Sequence, residues 1–141
     1  MANSFRLEVI TPERLFYDGE VELVIVRTLN GDEGFMANHA WACKLLSTGE
    51  LWIQEKGSRE YKIAAISGGY IDVQKTIVIF TDSAEWPEEI DADRAALAKE
   101  RAESSLTVTS KDDLQIRLAK VAIEKALTRI HVKGGGYRRK R

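Results

Sequence analysis

Ala84-Glu85-Trp86-Pro87-Glu88-Glu89-Ile90-Asp91-Ala92-Asp93-Arg94-Ala95 is the stretch in which this chain changes its pattern. Pro87 cannot donate to a β-ladder and Glu88-Glu89 opens a polar run, so extended structure ends here. Downstream, strong helix formers take over. Asp91 is placed to cap a helix running to about Leu106, and Ile90 stands where a hydrophobic staple onto Ala95 forms. Thr107-Val108-Thr109 is β-branched and interrupts that helix. Ser110, with Asp113 three residues later in capping-box position, predicts a second helix to about His131, ended by Gly134-Gly135-Gly136.

Upstream of the change, apolar residues recur in short runs separated by turn signals. Strands are expected at 5–10, 21–28, 50–56, 60–66, 70–74 and 76–81, rich in Val, Ile, Tyr, Trp and Phe. Asn30-Gly31, Thr48-Gly49, Lys56-Gly57-Ser58 and Gly68-Gly69 supply the turns. The fold class is therefore α+β: an N-terminal antiparallel β-sandwich or flattened barrel, then a C-terminal antiparallel two-helix hairpin. Three segments follow: a sandwich domain at 1–86, a helical hairpin at 87–133, and a mobile basic tail at 134–141.

The hairpin's facing residues are small. Ala95, Ala98 and Ala102 recur at helical spacing on the first helix, and Ala119, Ala122 and Ala126 on the second. A buried methyl contributes about 0.8 kcal/mol, against about 1.5–3 for a buried Leu. Such a seam closes tightly but weakly, which suits a switch.

Charge is divided unevenly. Residues 1–86 hold 8 Lys/Arg against 13 Asp/Glu, a net −5, while residues 111–141 hold 10 against 3, a net +7. The basic end is drawn to an acidic surface, whether protein, nucleic acid or anionic lipid. A nucleic-acid reader is disfavoured, because the helices lack interleaved aromatics for base stacking and the acidic sandwich repels phosphate. No apolar run approaches the roughly 18 residues of a membrane span. The opening residues lack a secretory signal, so the chain is expected in the cytoplasm. Cys43 is a lone cysteine, read as a small buried hydrophobe. No Gly-x-x-x-x-Gly-Lys-Ser/Thr loop, nucleophile elbow or metal-ligand spacing occurs, so no catalytic centre is expected.

Several pieces, in order and at characteristic spacing, resemble one family. They are Val9-Ile10-Thr11-Pro12-Glu13-Arg14, the Gly31-Asp32-Glu33-Gly34 turn leading to Asn38-His39-Ala40, Ile66-Ser67-Gly68-Gly69-Tyr70-Ile71-Asp72-Val73, Ala84-Glu85, and Ile90-Asp91-Ala92-Asp93-Arg94-Ala95. Over nearly its whole length the chain resembles the epsilon subunit of bacterial F-type ATP synthases. The resemblance implies a non-catalytic rotor subunit bound to the gamma subunit, with its sandwich touching the membrane c-ring. It implies a peripheral location on the cytoplasmic face of the cell membrane and a part in ATP synthesis and ion transport. It also implies inhibition of ATP hydrolysis when the hairpin extends towards the alpha/beta head. About 40 residues of helix reach about 60 Å.

The resemblance assigns three sites. Asp32 and His39 would face the c-ring, although a turn acid and a surface histidine look the same on residues alone. ATP would bind the folded hairpin through Glu85, Ile90, Asp91, Arg94, Ala95, Arg101, Lys125 and Arg129, as a regulatory ligand and not a required cofactor. Lys125 departs from the pattern, since ATP-binding relatives carry Arg there, and a Lys keeps the charge but loses the planar fork. Arg117, Lys120, Lys125, Arg129 and Lys133 would meet acidic segments of the beta subunits. The plainer reading of Arg94 and Arg101 is pairing with helix neighbours such as Glu100 or Glu103, and of the basic face, solvation. A free-standing ATP sensor without a gamma partner, or a basic nucleic-acid or membrane-surface module, are the alternative functions.

Overall fold

Residues 3–107 and 112–135 are described by a computed structural model. The strands are β1 (Phe5–Ile10), β2 (Leu15–Thr28), β3 (Gly31–Met36), β4 (Ala42–Leu46), β5 (Gly49–Glu55), β6 (Tyr61–Ile66), β7 (Gly69–Val73), β8 (Ile77–Thr81) and β9 (Ala84–Glu85). A 3-10 turn, Pro87–Glu89, leads into α1 (Ala92–Thr107) and α2 (Asp113–Lys133). The strands run in the order β1-β8-β7-β4-β2-β5-β6-β9, with β3 on β2 and an additional β1–β2 pairing. Because β1 contacts both β2 and β8, the sheet folds over itself into a flattened sandwich. The β1–β8 pair is parallel and the other pairings are antiparallel.

Alternation puts one residue in two inside. Leu7 and Val9 of β1, Val24 and Val26 of β2, Leu51 and Ile53 of β5, Ile71 of β7 and Ile79 of β8 are almost wholly buried in one cluster. Each such side chain contributes about 1.5–3 kcal/mol, so the sandwich carries most of the molecule's apolar stabilisation. At the β7 entry, Gly68 and Gly69 have φ of 67° and 126°. A Cβ on Gly69 would overlap the Phe80 carbonyl oxygen, so the glycine pair serves a left-handed turn and a close strand approach.

The hairpin is clasped to the sandwich by α2. That helix packs on β5, β6 and the 3-10 turn, whereas α1 leans mainly on α2. Ile90, Ala65 and Val132 are buried together, with Ile63 against them. Between the helices the seam is made of alanine. Ala95 and Ala102 on α1 and Ala119 and Ala126 on α2 are buried, and Ala98 and Ala122 are half-buried.

Several sequence expectations need correction. Gly31-Asp32-Glu33-Gly34 is not a turn but most of β3, paired along β2 from Thr28↔Gly31 to Leu23↔Met36. β4 and β9 had no predicted counterpart, and β2 begins at Leu15 instead of Val21. Cys43 is exposed, because on β4 it alternates with Ala42 and Lys44 and points outward. At α2 the cap is Asp112, whose carboxylate accepts from the Gln115 backbone N–H at 2.9 Å. Ser110 lies outside the described residues, as does the tail beyond Gly135. Helix α2 continues to Lys133, and Gly135 then takes a positive φ of 104°.

Candidate functional site

The α1 start, the end of α2 and the sandwich edge enclose a hollow of about 700 Å3. Asp91 sets its geometry from below: its side chain accepts from the Arg94 backbone N–H at 3.1 Å, fixing the first turn of α1. Arg94, Ala95 and Ala98 then line the hollow, with Glu85 from β9 and Arg129 from α2. The Arg129 Nε donates to Glu85 Oε1 at 2.5 Å. This half-buried pair ties α2 to the sandwich. Arg94 is exposed, and its guanidinium makes no ion pair with any described residue. The anticipated pairing with Glu100 or Glu103 is absent among the described residues, where Glu103 instead accepts from Lys99 at 2.9 Å.

Of the residues assigned to ATP, the hollow thus brings together Glu85, Asp91, Arg94, Ala95 and Arg129. Ile90 is not in its wall but buried between α2 and β6. Arg101 lies beyond it, and Lys125 lines the adjacent crevice shared with Glu85 and Arg129. Residues missed from sequence complete the wall: Thr11, Glu13 and Arg14 from the β1–β2 loop, Asp82 and Ser83 before β9, and Glu89. Arg14 Nη2 donates to the Glu89 carboxylate at 2.7 and 2.9 Å, and the guanidinium Cζ lies over the Phe16 ring at 5.0 Å. Glu89 also accepts from the Trp86 backbone N–H at 3.0 Å. That bond first, and Arg14 next, hold its carboxyl below the ordinary range. The resemblance motif includes Thr11, Glu13 and Arg14 but does not place them here, because the β1–β2 loop reaches the hollow only through long-range pairing.

Asp32 lies within β3 and accepts from Arg27 Nε at 3.1 Å. His39 follows Asn38, which has a positive φ of 65°, and sits edge-on to Phe35 at 4.8 Å. The turn after β3, in which the His39 backbone N–H donates to the Met36 carbonyl at 3.3 Å, brings the His39 ring back to Phe35, three residues from Asp32 or about 10 Å along the strand. The basic residues of α2 divide between two faces. Arg117 and Lys120 are exposed, while Lys125, Arg129 and Lys133 follow at four-residue spacing along the face towards the sandwich. Lys133 Nζ donates to the Pro87 carbonyl at 3.0 Å.

A second surface was not read from sequence at all. Leu45, Tyr70, Phe80 and Ile10 stand in one cross-strand row through the registers Leu45↔Tyr70, Tyr70↔Phe80 and Ile10↔Phe80. Leu45 is 62% exposed and Tyr70 41%, and Tyr70 stacks on Phe80 at 4.9 Å. The row forms an outward apolar strip across four strands.

A small-residue helical hairpin clasped to a β-sandwich, with a charged hollow between them, defines a two-part module of sandwich and hairpin. Residues 4–87 match the family model for the ATP synthase delta/epsilon chain β-sandwich domain, and residues 88–134 match that for its long α-helix domain. The chain belongs to the ATP synthase epsilon-chain family, of the bacterial type, and an epsilon chain is a structural and regulatory subunit, not a catalytic one. The ATP synthase epsilon chain of Alkaliphilus oremlandii is 48% identical over 77% of this chain and 81% of its own length. That of Clostridium novyi is 40% identical over 94% of this chain and 99% of its own. Among solved structures, a chain of the Euglena gracilis mitochondrial ATP synthase, in a structure of OSCP, F1 and the c-ring, superposes with a TM-score of 0.77 at 25% identity. It covers 89% of this chain and 78% of that one. A chain from the central stalk and c-ring of the Tetrahymena thermophila enzyme shares the fold, with a TM-score of 0.69 at 14% identity over 93% and 97%.

Proposed function

We propose that this chain is a central-stalk subunit that joins the gamma subunit to the c-ring, and that its hairpin restrains ATP hydrolysis under the control of bound ATP. In this reading residues 1–86 dock and residues 87–133 regulate. The apolar row Ile10–Phe80–Tyr70–Leu45 is the gamma face, and Asp32 and His39 lie toward the c-ring. The chain is held peripherally at the cytoplasmic face of the membrane by the complex. Among the described residues no helix is long and apolar enough to cross it.

The observation that carries the regulatory half is the composition of the hollow: α1 supplies Arg94, α2 supplies Arg129 and β9 supplies Glu85. A ligand held by all three binds only while the hairpin is folded down. Phosphate oxygens take the guanidinium forks of Arg94 and Arg129, with Arg129 exchanging Glu85 for the ligand. At 100 times its dissociation constant, ATP stabilises the closed hairpin by about 2.7 kcal/mol. That is comparable with what an alanine seam resists. When ATP is scarce the hairpin lifts, and Arg129 and Lys133 lose their partners on the sandwich side. They then join Arg117, Lys120 and Lys125 as cations facing acidic beta-subunit segments.

Calorimetric titration of the isolated chain with ATP tests this. Removing a charged hydrogen-bond partner costs about 1.5–3 kcal/mol, so Arg94→Ala should weaken binding roughly 10- to 150-fold. Unchanged affinity in both Arg94→Ala and Arg129→Ala would refute the site. Hydrolysis by enzyme reassembled with a chain ending at Glu89 should rise, and an unchanged rate would remove the inhibitory role.

A further inference from the structure

Among the described residues, three guanidiniums line the hollow between hairpin and sandwich, and each comes from a different element: Arg14 from the β1–β2 loop, Arg94 from α1 and Arg129 from α2. Five carboxylates, those of Glu13, Asp82, Glu85, Glu89 and Asp91, share the wall with them. Long-range attraction therefore does not hold an anion here, and direct donation from the guanidiniums must. Arg14 has donors to spare for it. Its bonds to Glu89 at 2.7 and 2.9 Å and to the Ala84 carbonyl at 3.4 Å all leave from one nitrogen, Nη2. Nε and Nη1 have no hydrogen-bond partner among the described residues. The Phe16 ring, 5.0 Å from Cζ, supports one face of the guanidinium plane.

We infer that Arg14 is a further phosphate-binding residue of this hollow, presenting Nε and Nη1 to the phosphate chain of a nucleotide while Nη2 keeps Glu89. On the reading of the hollow as an ATP site, on which this rests, the sandwich thereby supplies a cation of its own. One guanidinium serves both partners because its N–H groups point along different edges of a rigid plane. Arg129 is disposed in the same way, with Nε on Glu85 and its two terminal nitrogens left over. The origin of the added cation decides what the ligand senses. Arg94 and Arg129 both ride on the hairpin, so a phosphate chain gripped by those two alone would travel with the helices when they lift as a pair. Arg14 stays with the sandwich. A phosphate chain gripped by all three loses a partner as soon as the hairpin undocks, even with the alanine seam closed. The hollow therefore reads docking as well as helix pairing.

Calorimetric titration of the full chain with ATP, in the parent and in Arg14→Gln, Glu89→Gln and Arg94→Ala, tests this. Arg14→Gln should weaken binding on the order of 10-fold or more. Glu89→Gln distinguishes a ligand contact from a brace: it keeps an acceptor for the Trp86 N–H, removes the charge facing Arg14 and leaves Nε and Nη1 in place, so its affinity should equal or exceed the parent's. At saturating ATP, amide exchange in α1 and α2 should be slowed less in Arg14→Gln than in the parent. Parent-like affinity in Arg14→Gln, alongside a loss in Arg94→Ala, overturns the assignment and leaves the ATP site standing. A loss in Glu89→Gln as large as that in Arg14→Gln overturns it too, because Arg14 would then act only by bracing the Pro87–Glu89 turn. Equal slowing of exchange in Arg14→Gln and parent overturns the docking role, and a parent chain that binds no ATP refutes the site itself.

Discussion

Val132→Ala is the sharpest perturbation of the hairpin's hold on the sandwich. Val132 is fully buried and packs with Ile90, Ala65 and Ile63 where α2 meets β6. The substitution removes two methyl groups, about 1.6 kcal/mol of transfer free energy at about 0.8 per group, and leaves a small cavity that brings the loss to about 2 kcal/mol. The alanine seam stays intact, as Ala119 and Ala126 lie on the opposite side of α2, towards α1. The loss therefore falls on docking, not on helix pairing. Two kcal/mol corresponds to roughly a 30-fold rise in the open population. Native-state hydrogen exchange reads this residue by residue. Amides of α1 and α2 should exchange about 30-fold faster in Val132→Ala, while those of β1, β7 and β8 keep their rates. An equal acceleration through sandwich and hairpin would refute the reasoning, because the two would then open as one unit. So would no change at all, because Val132 would then anchor nothing.

Two further outcomes follow from the sandwich. Gly69→Ala places a Cβ on the Phe80 carbonyl and forces an L-residue to a φ of 126°, so thermal or denaturant unfolding should show a loss of at least about 1–3 kcal/mol, larger than at the open turn glycine Gly57. Glu55 accepts from the Tyr17 hydroxyl at 2.8 Å and pairs with Lys62, and these hold its carboxyl below the ordinary range, the Tyr17 bond foremost. A depressed carboxyl stabilises the fold above its unfolded value of about 4.3, and that contribution is lost as pH falls through the folded value. Unfolding measured from pH 6 down to pH 3 should therefore steepen below about pH 4, and Glu55→Gln should flatten that limb.

The strands that were legible from sequence are those whose apolar content is local: β1 alternates Phe, Leu and Val with charged residues at period two, while β5, β6, β7 and β8 carry short apolar or β-branched runs bounded by turn residues. β3 was not legible because Gly31, Asp32, Glu33 and Gly34 have turn composition and gain strand geometry only by pairing with β2. β9 has two residues and exists only through its ladder to β6, at Ala65↔Glu85 and Ile66↔Ala84. Cys43 illustrates the same limit, since its exposure follows from which face of β4 turns outward. At the helical end, the alanine spacing named the seam directly, and Asp91 was recognisable as a cap. Asp112 lost to Ser110 in the sequence reading because both are good capping residues two positions apart, and only backbone geometry separates them.

The chain's periodicity determined a sandwich followed by a weak hairpin, and its ordered motifs determined the family, because both are properties of near neighbours along the sequence. Only the tertiary structure decided that Arg94, Arg129 and Glu85 share a hollow with Arg14 and Glu89, that Ile90 and Val132 form the clasp, and that Leu45, Tyr70, Phe80 and Ile10 align across four strands. Those contacts join residues tens of positions apart, and their register is set by the whole core closing at once. No local run of residues carries it.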